Sequence, residues 1–315
     1  MKTILICGAT GFIGRNIAEY FAQNAEYDVV GVFNRRPPFS HPRIRWVQAD
    51  LTNPLEAAAV MGGVNILVQA AATTSGVKDI FSKPHTHVTD NAVMNSYLFR
   101  LAYEHGVEHV LFFSCTIMLG SNTQAQTEED FDANAKIHPR YFGAGWTKVY
   151  LEKMCEFYAQ LGSTKFTAIR HSNVYGPHDK FDLESSHVCG ATITKVMQAT
   201  ESITIWGNGK ETRDLLYVED LVDMVKCVID KQDLSFAIYN CGAGSPVSIN
   251  ELVNKVIFES RKTLSLKYDL SMPSILNYLH LDCGKAKNDL DWIPKHSLSQ
   301  GISKTVKWWK DNIKA

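Results

Sequence analysis

Three glycines near the start of the chain have the spacing of a phosphate-binding turn. The segment "ILICGATGFIGRNIAEYF" combines an apolar strand, a glycine-rich turn and an amphipathic helix. Gly8 permits the tight turn, Gly11 lets the backbone approach a pyrophosphate, and Gly14 lets the helix pack closely on the strand. The unpaired N–H groups at the start of that helix would face the phosphates. The pattern predicts dinucleotide binding; the alternative is a glycine-rich turn without a ligand.

The residues after the second apolar run bear on which dinucleotide would bind. A carboxylate at this point accepts hydrogen bonds from the ribose 2′-OH and repels a 2′-phosphate, whereas guanidinium groups can chelate that phosphate. The chain has "VFNRRPP", which places Asn34, Arg35 and Arg36 there. This composition favours NADP(H), with NAD(H) as the alternative if the arginines are solvated loop residues.

Two segments in the second half carry residues suited to a phosphorylated substrate. They are "NVYGPHDKFDLESSHV" and "IWGNGKETRDLLYVEDL". Arg213 can make paired hydrogen bonds to a diphosphate, and Lys210 adds positive charge. His187 can exchange protons near neutral pH. A structural histidine near the start of a helix is the alternative interpretation of His187.

The elements that would position these residues follow from the apolar pattern. Strand-like runs alternate with helical segments, which indicates a parallel sheet covered on both faces. The runs are Thr3–Cys7, Asp28–Phe33, Asn65–Ala71, His109–Ser114 and Phe166–Arg170. Beyond them the spacing becomes irregular. We therefore expect a dinucleotide-binding domain at 1–172, with a return segment near 214–232, and a smaller substrate-binding lobe at 173–315.

Bulk properties exclude several classes of protein. Lys and Arg number 32 against 33 Asp and Glu in 315 residues, so the net charge of −1 argues against a nucleic-acid-binding surface. No apolar run approaches the roughly 18 to 20 residues that a membrane span needs. The seven cysteines are dispersed, which predicts reduced thiols. With no signal peptide evident, we expect a cytoplasmic protein, and no cluster of residues predicts a metal site.

"GATGFIG", "QADLT" and "QAAATTSG" together resemble the extended short-chain dehydrogenase/reductases, the NAD(P)-dependent epimerase/dehydratase family acting on nucleotide sugars. The resemblance implies an α/β fold of the Rossmann type, a doubly wound parallel sheet with a smaller C-terminal lobe. It also implies a set of cofactor-binding positions. These are Gly8, Thr10, Gly11, Phe12, Ile13, Gly14, Asn34, Arg35, Arg36, Asp50, Leu51, Ala70, Ala71, Ala72, Lys148 and His171.

Within that family, the continuation after "NVYGP" resembles the GDP-L-fucose synthases, which are NADPH-dependent 3,5-epimerase/4-reductases of GDP-4-keto-6-deoxymannose. The likeness extends through "LDWIP" near the C-terminus. It implies a nucleotide sugar, most simply a GDP-linked one, as substrate. It also gives His187 the role of an acid in epimerisation. The implied substrate-binding positions are Asn173, His187, Val188, Lys195, Trp206 and Arg213.

The catalytic positions depart from the family pattern. Members use a Ser or Thr at a strand end, a Tyr that transfers the proton, and a Lys one helical turn later. Lys148 is present, but the residue four positions earlier is Ala144. Cys115 falls at the Ser/Thr position. Its neighbours Ser114 and Thr116 are alternative candidates for polarising the substrate oxygen.

The missing phenol leaves the proton donor open. Tyr141 lies on nearly the same helix face as Lys148 but about 10 Å along the axis, which disfavours direct contact in a regular helix. The alternatives are a displaced Tyr141, a water held by Lys148 and Thr116, and the thiol of Cys115.

Three functions are compatible with this set of residues. The first is an NADP(H)-dependent reductase or epimerase/reductase of a GDP-linked keto sugar. The second is a 4-epimerase or dehydratase with tightly held NAD(P), against which Ala144 counts more heavily because alcohol oxidation needs a base. The third is a non-catalytic binding protein. The resemblance also implies a homodimer that pairs the helix from Asp90, with its stripe Val93, Tyr97 and Leu101, and the helix carrying Lys148.

Overall fold

The computed structural model describes residues 1–73, 84–183, 185–271 and 278–313. Within these ranges the strands are β1 (Lys2–Cys7), β2 (Tyr27–Phe33), β3 (Ile44–Gln48), β4 (Ile66–Gln69), β5 (His109–Cys115), β6 (Lys165–His171), β7 (Asn173–Tyr175), β8 (Ser202–Trp206), β9 (Thr212–Tyr217), β10 (Phe236–Cys241), β11 (Pro246–Ser248) and β12 (Ser265–Asp269). The helices are α1 (Phe12–Phe21), α2 (Pro54–Ala59), α3 (Pro84–Glu104), α4 (Phe142–Ala159), α5 (Val188–Gln198), α6 (Val218–Lys231), α7 (Ile249–Ser260), α8 (Gly284–Leu290) and α9 (Leu298–Asn312).

A seven-stranded sheet organises the molecule, in the order β10-β6-β5-β4-β1-β2-β3 with every neighbouring pair parallel. Successive residues of β1 alternate between two apolar cores, with Ile4 and Ile6 in one and Leu5 and Cys7 in the other. Both faces of the sheet are therefore buried, which is why its strands are apolar throughout. This confirms the predicted Rossmann-type α/β fold.

The second half of the chain adds two small sheets and then returns to the large one. One small sheet has the order β11-β9-β7, and the other pairs β12 with β8. From β9 the chain continues into α6, which packs against α1, and β10 joins the large sheet beside β6. The division of the chain at residue 172 remains a prediction.

The five predicted runs correspond to β1, β2, β4, β5 and β6, while β3 and β10 were not predicted. The edge strand β3 buries only its first residue fully, so its sequence lacks a continuous apolar run. All seven cysteines are free thiols. Among the described residues, no helix is both long and apolar enough to span a membrane.

Candidate active site

The glycine-rich turn connects β1 to α1 at the carboxyl edge of the large sheet. Gly8 has a φ of +72°, and a Cβ there would lie 2.7 Å from the Ala71 Cα. A Cβ on Gly14 would lie 2.3 Å from the Gly8 carbonyl oxygen, so the helix packs directly on the turn. Gly11 is the N-cap of α1 and supplies no side-chain cap. The first N–H groups of α1 therefore remain free of a side-chain cap, which suits a diphosphate.

The two arginines after β2 interact with different neighbours. The Arg36 Nη1 donates to the Thr10 carbonyl oxygen at 3.1 Å, across the glycine-rich turn. Arg35 lies near Asp50, where the hydrogen bond from the Thr52 side chain and the charge of Arg35 both lower the pKa of the Asp50 carboxyl. Asn34 accepts a hydrogen bond from the side chain of Gln48 through its carbonyl oxygen.

Small residues after β4 form the next part of this edge. Ala70 and Ala71 are half-buried and Ala72 is exposed, while Leu51 is buried nearby in the core. The Asn91 side chain from α3 fixes the segment, since its Oδ1 accepts from the Thr73 N–H at 3.0 Å and its Nδ2 donates to the Thr73 carbonyl at 3.1 Å. The rest of the predicted "TTSG" motif, at positions 74–76, lies outside the described residues.

Lys148 reaches the end of β5 from α4. Its Nζ donates to the Phe113 carbonyl oxygen at 2.6 Å and lies 4.7 Å from the centre of the Phe112 ring. Burial lowers the pKa of Lys148, and the neighbouring Cys115 and Glu152 oppose that shift. The ammonium is thus held at the carboxyl edge of the sheet, where parallel α/β folds bind their ligands.

A buried ion pair anchors the helix that carries Lys148. One turn after Lys148, Glu152 receives two hydrogen bonds from Arg170 of β6, from Nε at 3.0 Å and from Nη2 at 2.8 Å. The Ser114 hydroxyl donates to the same carboxylate at 2.6 Å. Ser114 and Arg170 are paired across β5 and β6, so they face α4 together. Ser114 consequently serves this network, and Cys115 and Thr116 are left as the candidates on the substrate side.

Cys115 and His171 form the next pair along the same two strands. Because strand residues alternate, these two side chains face away from the Ser114–Arg170 side. Burial raises the pKa of the Cys115 thiol, and the charge of Lys148 opposes the shift. Burial lowers the pKa of His171 to about 4; its hydrogen bond with the Ser172 carbonyl oxygen opposes this shift, and the charges of Lys148 and His187 add to it. Cys115, Lys148, His171 and His187 therefore share one electrostatic environment.

Thr116 and His187 complete this cluster. Thr116 is buried next to Cys115 along the chain. His187 is the N-cap of α5, and Val188 is the first residue of that helix. His187 is exposed by surface area, yet partial desolvation of its ring lowers its pKa, and the charge of Lys180 adds to the shift. The imidazole is therefore neutral at physiological pH and able to accept a proton.

Tyr141 belongs to the substrate side of the site. It ends the short 3-10 turn Pro139–Tyr141 that precedes α4, and Ala144 lies half-buried in the first turn of that helix. Burial lowers the pKa of Arg213, while Glu211 and Tyr141 oppose the shift, so the phenol lies within electrostatic range of this guanidinium. The structure thus associates Tyr141 with Arg213.

The remaining predicted substrate residues lie on the smaller sheets and α5. The Lys195 Nζ lies 5.0 Å from the centre of the Trp206 ring, and half of the Trp206 surface is exposed. Asn173 donates to the Asp214 carbonyl at 3.3 Å. An aromatic face next to a cationic side chain can stack on a base and contact a diphosphate.

Sequence reasoning missed three supporting residues. It did not identify Arg170 as the partner of Glu152, Asn91 as the residue that holds the segment after β4, or Arg15 as a residue beside the cofactor turn. The pairing of β5 with β6 and the contact of α3 with β4 are long-range features. A buried arginine in an apolar strand was the available signal, because such a charge requires a partner.

Comparisons with known proteins agree with this geometry. The model of the NAD dependent epimerase/dehydratase family matches residues 4–242. A GDP-L-fucose synthase of Sinorhizobium fredii is 28% identical over 316 residues, covering 99% of this chain and 96% of that protein. A GDP-L-colitose synthase of Yersinia pseudotuberculosis is 26% identical, covering 97% of both chains. The UDP-glucose 4-epimerase of Thermotoga maritima, solved with UDP-glucose, has a TM-score of 0.86 at 23% identity and covers 99% of this chain and 100% of its own.

Proposed function

Because this chain belongs to the NAD dependent epimerase/dehydratase family, we propose that it is an NADP(H)-dependent reductase or epimerase/reductase of a nucleotide-linked 4-keto sugar, with GDP as the nucleotide. The observation that carries the proposal is the placement of Lys148. Its ammonium lies at the carboxyl end of β5 beside Cys115 and His171, while the position of the family's phenol is occupied by Ala144. Such a site can still stabilise the negative charge that develops on a ketone oxygen during reduction.

The residues present fit a dinucleotide. The uncapped start of α1 and the close approach of Gly8 to Ala71 suit the diphosphate, and Arg36 over the Thr10 carbonyl suits a 2′-phosphate. A nicotinamide, when bound, supplies the hydride. Lys148 then binds the nicotinamide ribose, and the pair Asp50 and Leu51 lies beside the adenine, as in the family.

The chain's own residues then have distinct tasks. The Thr116 hydroxyl donates a hydrogen bond to the substrate carbonyl oxygen, and Lys148 stabilises the alkoxide that forms there. The thiol of Cys115, or a water held between Lys148 and Thr116, gives that alkoxide its proton. His187 exchanges protons with the sugar ring in the epimerisation step. Trp206 and Arg213 bind the nucleotide portion.

Ala144 argues against the alternative direction of chemistry. Oxidation of a sugar hydroxyl, with which 4-epimerases and dehydratases begin, requires a strong base to remove the hydroxyl proton. Lys148 already donates to the Phe113 carbonyl, and the Cys115 thiol is kept protonated because burial raises its pKa. Reduction needs an acid instead, and loss of one general acid typically costs about 10² to 10⁴ in rate without abolishing the reaction.

A turnover assay tests this proposal. Purified protein is mixed with GDP-4-keto-6-deoxymannose and either NADPH or NADH, the loss of reduced nicotinamide is followed by absorbance, and products are identified by NMR. We expect slow oxidation of NADPH. Lys148→Met should reduce the rate at saturating substrate. Lys153→Met is the matched control, since Lys153 is an exposed lysine on the same helix.

The outcomes separate the three functions. Turnover by the natural protein supports a reductase, and the stereochemistry of the product shows whether epimerisation occurs. Turnover only by Ala144→Tyr means that the natural protein binds without catalysis. If both proteins are inactive here but convert a UDP-sugar with NAD(H), the epimerase alternative is correct.

The outer faces of α3 and α4 support a homodimer. On α4, Tyr150 and Phe157 are 52% and 54% exposed, and Leu161 continues the same stripe. Val93 and Tyr97 of α3 are half-buried, so part of each remains available beside this stripe. Leu101, the third residue of the predicted stripe, is instead buried in the core. Two copies related by a two-fold axis would cover these apolar surfaces in a four-helix bundle. Phe157→Glu should shift the mass measured by light scattering to that of a monomer, while Phe258→Glu on α7 should not.

We also infer a cytoplasmic location for the enzyme. All seven cysteines are free thiols, which suits a reducing compartment.

A further inference from the structure

A pocket of about 410 Å³ lies beside the glycine-rich turn. Its walls come from the turn at Thr10, the first part of α1, the loop after β2, the loop after β7 and helix α9. Two arginines line it: Arg36, which the sequence pattern already assigned to the cofactor, and Arg15, which it did not. The pocket therefore begins at the cofactor turn and extends toward the C-terminal helix.

Arg15 is held in a fixed orientation. Its guanidinium lies 4.1 Å from the centre of the Phe39 ring, and its Nε donates to the Glu19 Oε1 at 2.8 Å. Glu19 also contacts the His178 Nε2 at 3.5 Å, which fixes the carboxylate from its other side. Across the described ranges, the two terminal nitrogens of Arg15 make no hydrogen bond. Their paired N–H groups are therefore available to a ligand, and orienting them in advance lowers the entropy cost of binding.

Arg36 and Asp179 define the charge on the other walls. Arg36 spans the turn by its hydrogen bond to Thr10, so a second guanidinium lies beside the same space. The Asp179 Oδ2 is buried and without a hydrogen-bond partner in the described chain. Burial raises the pKa of the Asp179 carboxyl to about 7, so near neutral pH it is only partly ionised. Two oriented guanidinium groups favour a compact dianion such as a phosphate monoester.

We propose that Arg15 is a cofactor-specificity residue, which together with Arg36 binds the 2′-phosphate of the dinucleotide in this pocket. The inference rests on the proposed use of NADP(H), because only that cofactor carries a phosphate monoester next to the adenosine end of the site. Arg36 approaches this phosphate across the turn. Arg15 approaches it from the first turn of α1 and can make two parallel hydrogen bonds to it.

The test measures binding rather than turnover. Calorimetric titration of the full-length protein compares 2′,5′-ADP with 5′-AMP, two ligands that differ only in the 2′-phosphate. We expect the natural protein to bind 2′,5′-ADP more tightly. Arg15→Met should keep contact with Phe39 but reduce the affinity ratio by about tenfold or more, the effect typical of a lost charge-assisted hydrogen bond. The affinity for 5′-AMP should not change. Arg45→Met is the matched control, because Arg45 is exposed and paired with Asp28.

Each result has a defined meaning. An unchanged ratio in Arg15→Met, with the natural preference intact and lost in Arg36→Met, would overturn the role of Arg15 while leaving NADP(H) use in place. A ratio near one in the natural protein would overturn both the inference and the cofactor preference. Inorganic phosphate serves as a further competitor. If it binds in an Arg15-dependent manner without displacing 2′,5′-ADP, the pocket is an independent anion site and the inference fails.

Discussion

Removing the Glu152 carboxylate should destabilise the protein far more than removing any exposed carboxylate on the same helix. Glu152 and Arg170 have side chains that are only 4% and 3% exposed. The carboxylate accepts two hydrogen bonds from Arg170 and one from Ser114. Glu152→Ala leaves the guanidinium in the core with its remaining hydrogen bond to the Glu128 carbonyl, at 2.9 Å.

The expected magnitude follows from what each change leaves unpaired. Removing one partner of a buried ion pair costs about 3 to 5 kcal/mol, because the other charge stays desolvated. Ser114→Ala removes one hydrogen bond to a charged group and should cost about 1.5 to 3 kcal/mol. Since domains are typically stable by about 5 to 15 kcal/mol, Glu152→Ala should use a large share of the total stability.

Urea unfolding without cofactor, followed by tryptophan fluorescence, measures these differences. The matched control is Glu156→Ala, which breaks an exposed pair with Lys153 at 2.7 Å on the same helix. Exposed pairs of this kind contribute about 0 to 1 kcal/mol. A double-mutant cycle between Ser114 and Glu152 should give a coupling energy well above that of a cycle between Lys153 and Glu156. The m-value should be the same in every variant.

A loss smaller than about 1 kcal/mol in Glu152→Ala would refute the argument, because a desolvated guanidinium cannot be tolerated so cheaply. The apolar replacement Glu152→Leu with Arg170→Met separates two explanations. It should recover much of the stability, since neither charge remains buried. If it stays as unstable as Glu152→Ala, the loss comes from packing.

Three further outcomes are expected. Gly14→Ala should lower both the melting temperature and cofactor affinity, because its Cβ would lie 2.3 Å from the Gly8 carbonyl oxygen; Gly62→Ala, whose Cβ would meet nothing within 4 Å, is the control. The pKa of buried His109 is lowered from 6.5 to about 3, so the unfolded chain binds the extra proton first. The stability due to neutral His109 is therefore complete above pH 6.5 and is lost toward pH 3. His109→Gln should make the urea midpoint less dependent on pH over that range. Trp206→Ala should weaken binding of the nucleotide sugar in calorimetry without changing cofactor affinity.

The local parts of the cofactor site could be predicted from the sequence because their chemistry is contiguous. The turn and the helix that follows it lie within residues 8–21. Each glycine is required by a close contact, either inside that range or with the segment after β4. The strands of the first half were equally accessible, since burial on both faces makes each a continuous apolar run.

The support of the site depends on long-range pairing and was not accessible in the same way. Ser114 was a candidate for polarising the substrate, yet the register of β5 against β6 sets it opposite Arg170 and turns it toward Glu152. A one-residue change in that register would exchange its place with Cys115. Sequence spacing identified the stretch 114–116 but could not show which of its side chains faces the substrate and which faces α4.

The start of α4 shows why the proton donor is the hardest part to infer. Ala144 lies between Gly143 and Gly145, which are both closely packed: a Cβ on Gly143 would lie 2.7 Å from the Val88 side chain, and one on Gly145 would lie 3.1 Å from the Ile137 side chain. The backbone of this first turn therefore packs closely against the side chains of Val88 and Ile137. The absence of a phenol at position 144 therefore coincides with tight packing of the residues on either side of it. Ala144→Tyr consequently tests two things together, whether a phenol restores the acid and whether this turn can accommodate it. Cofactor affinity measured on that variant separates the two, because a displaced α4 would move Lys148 and weaken binding.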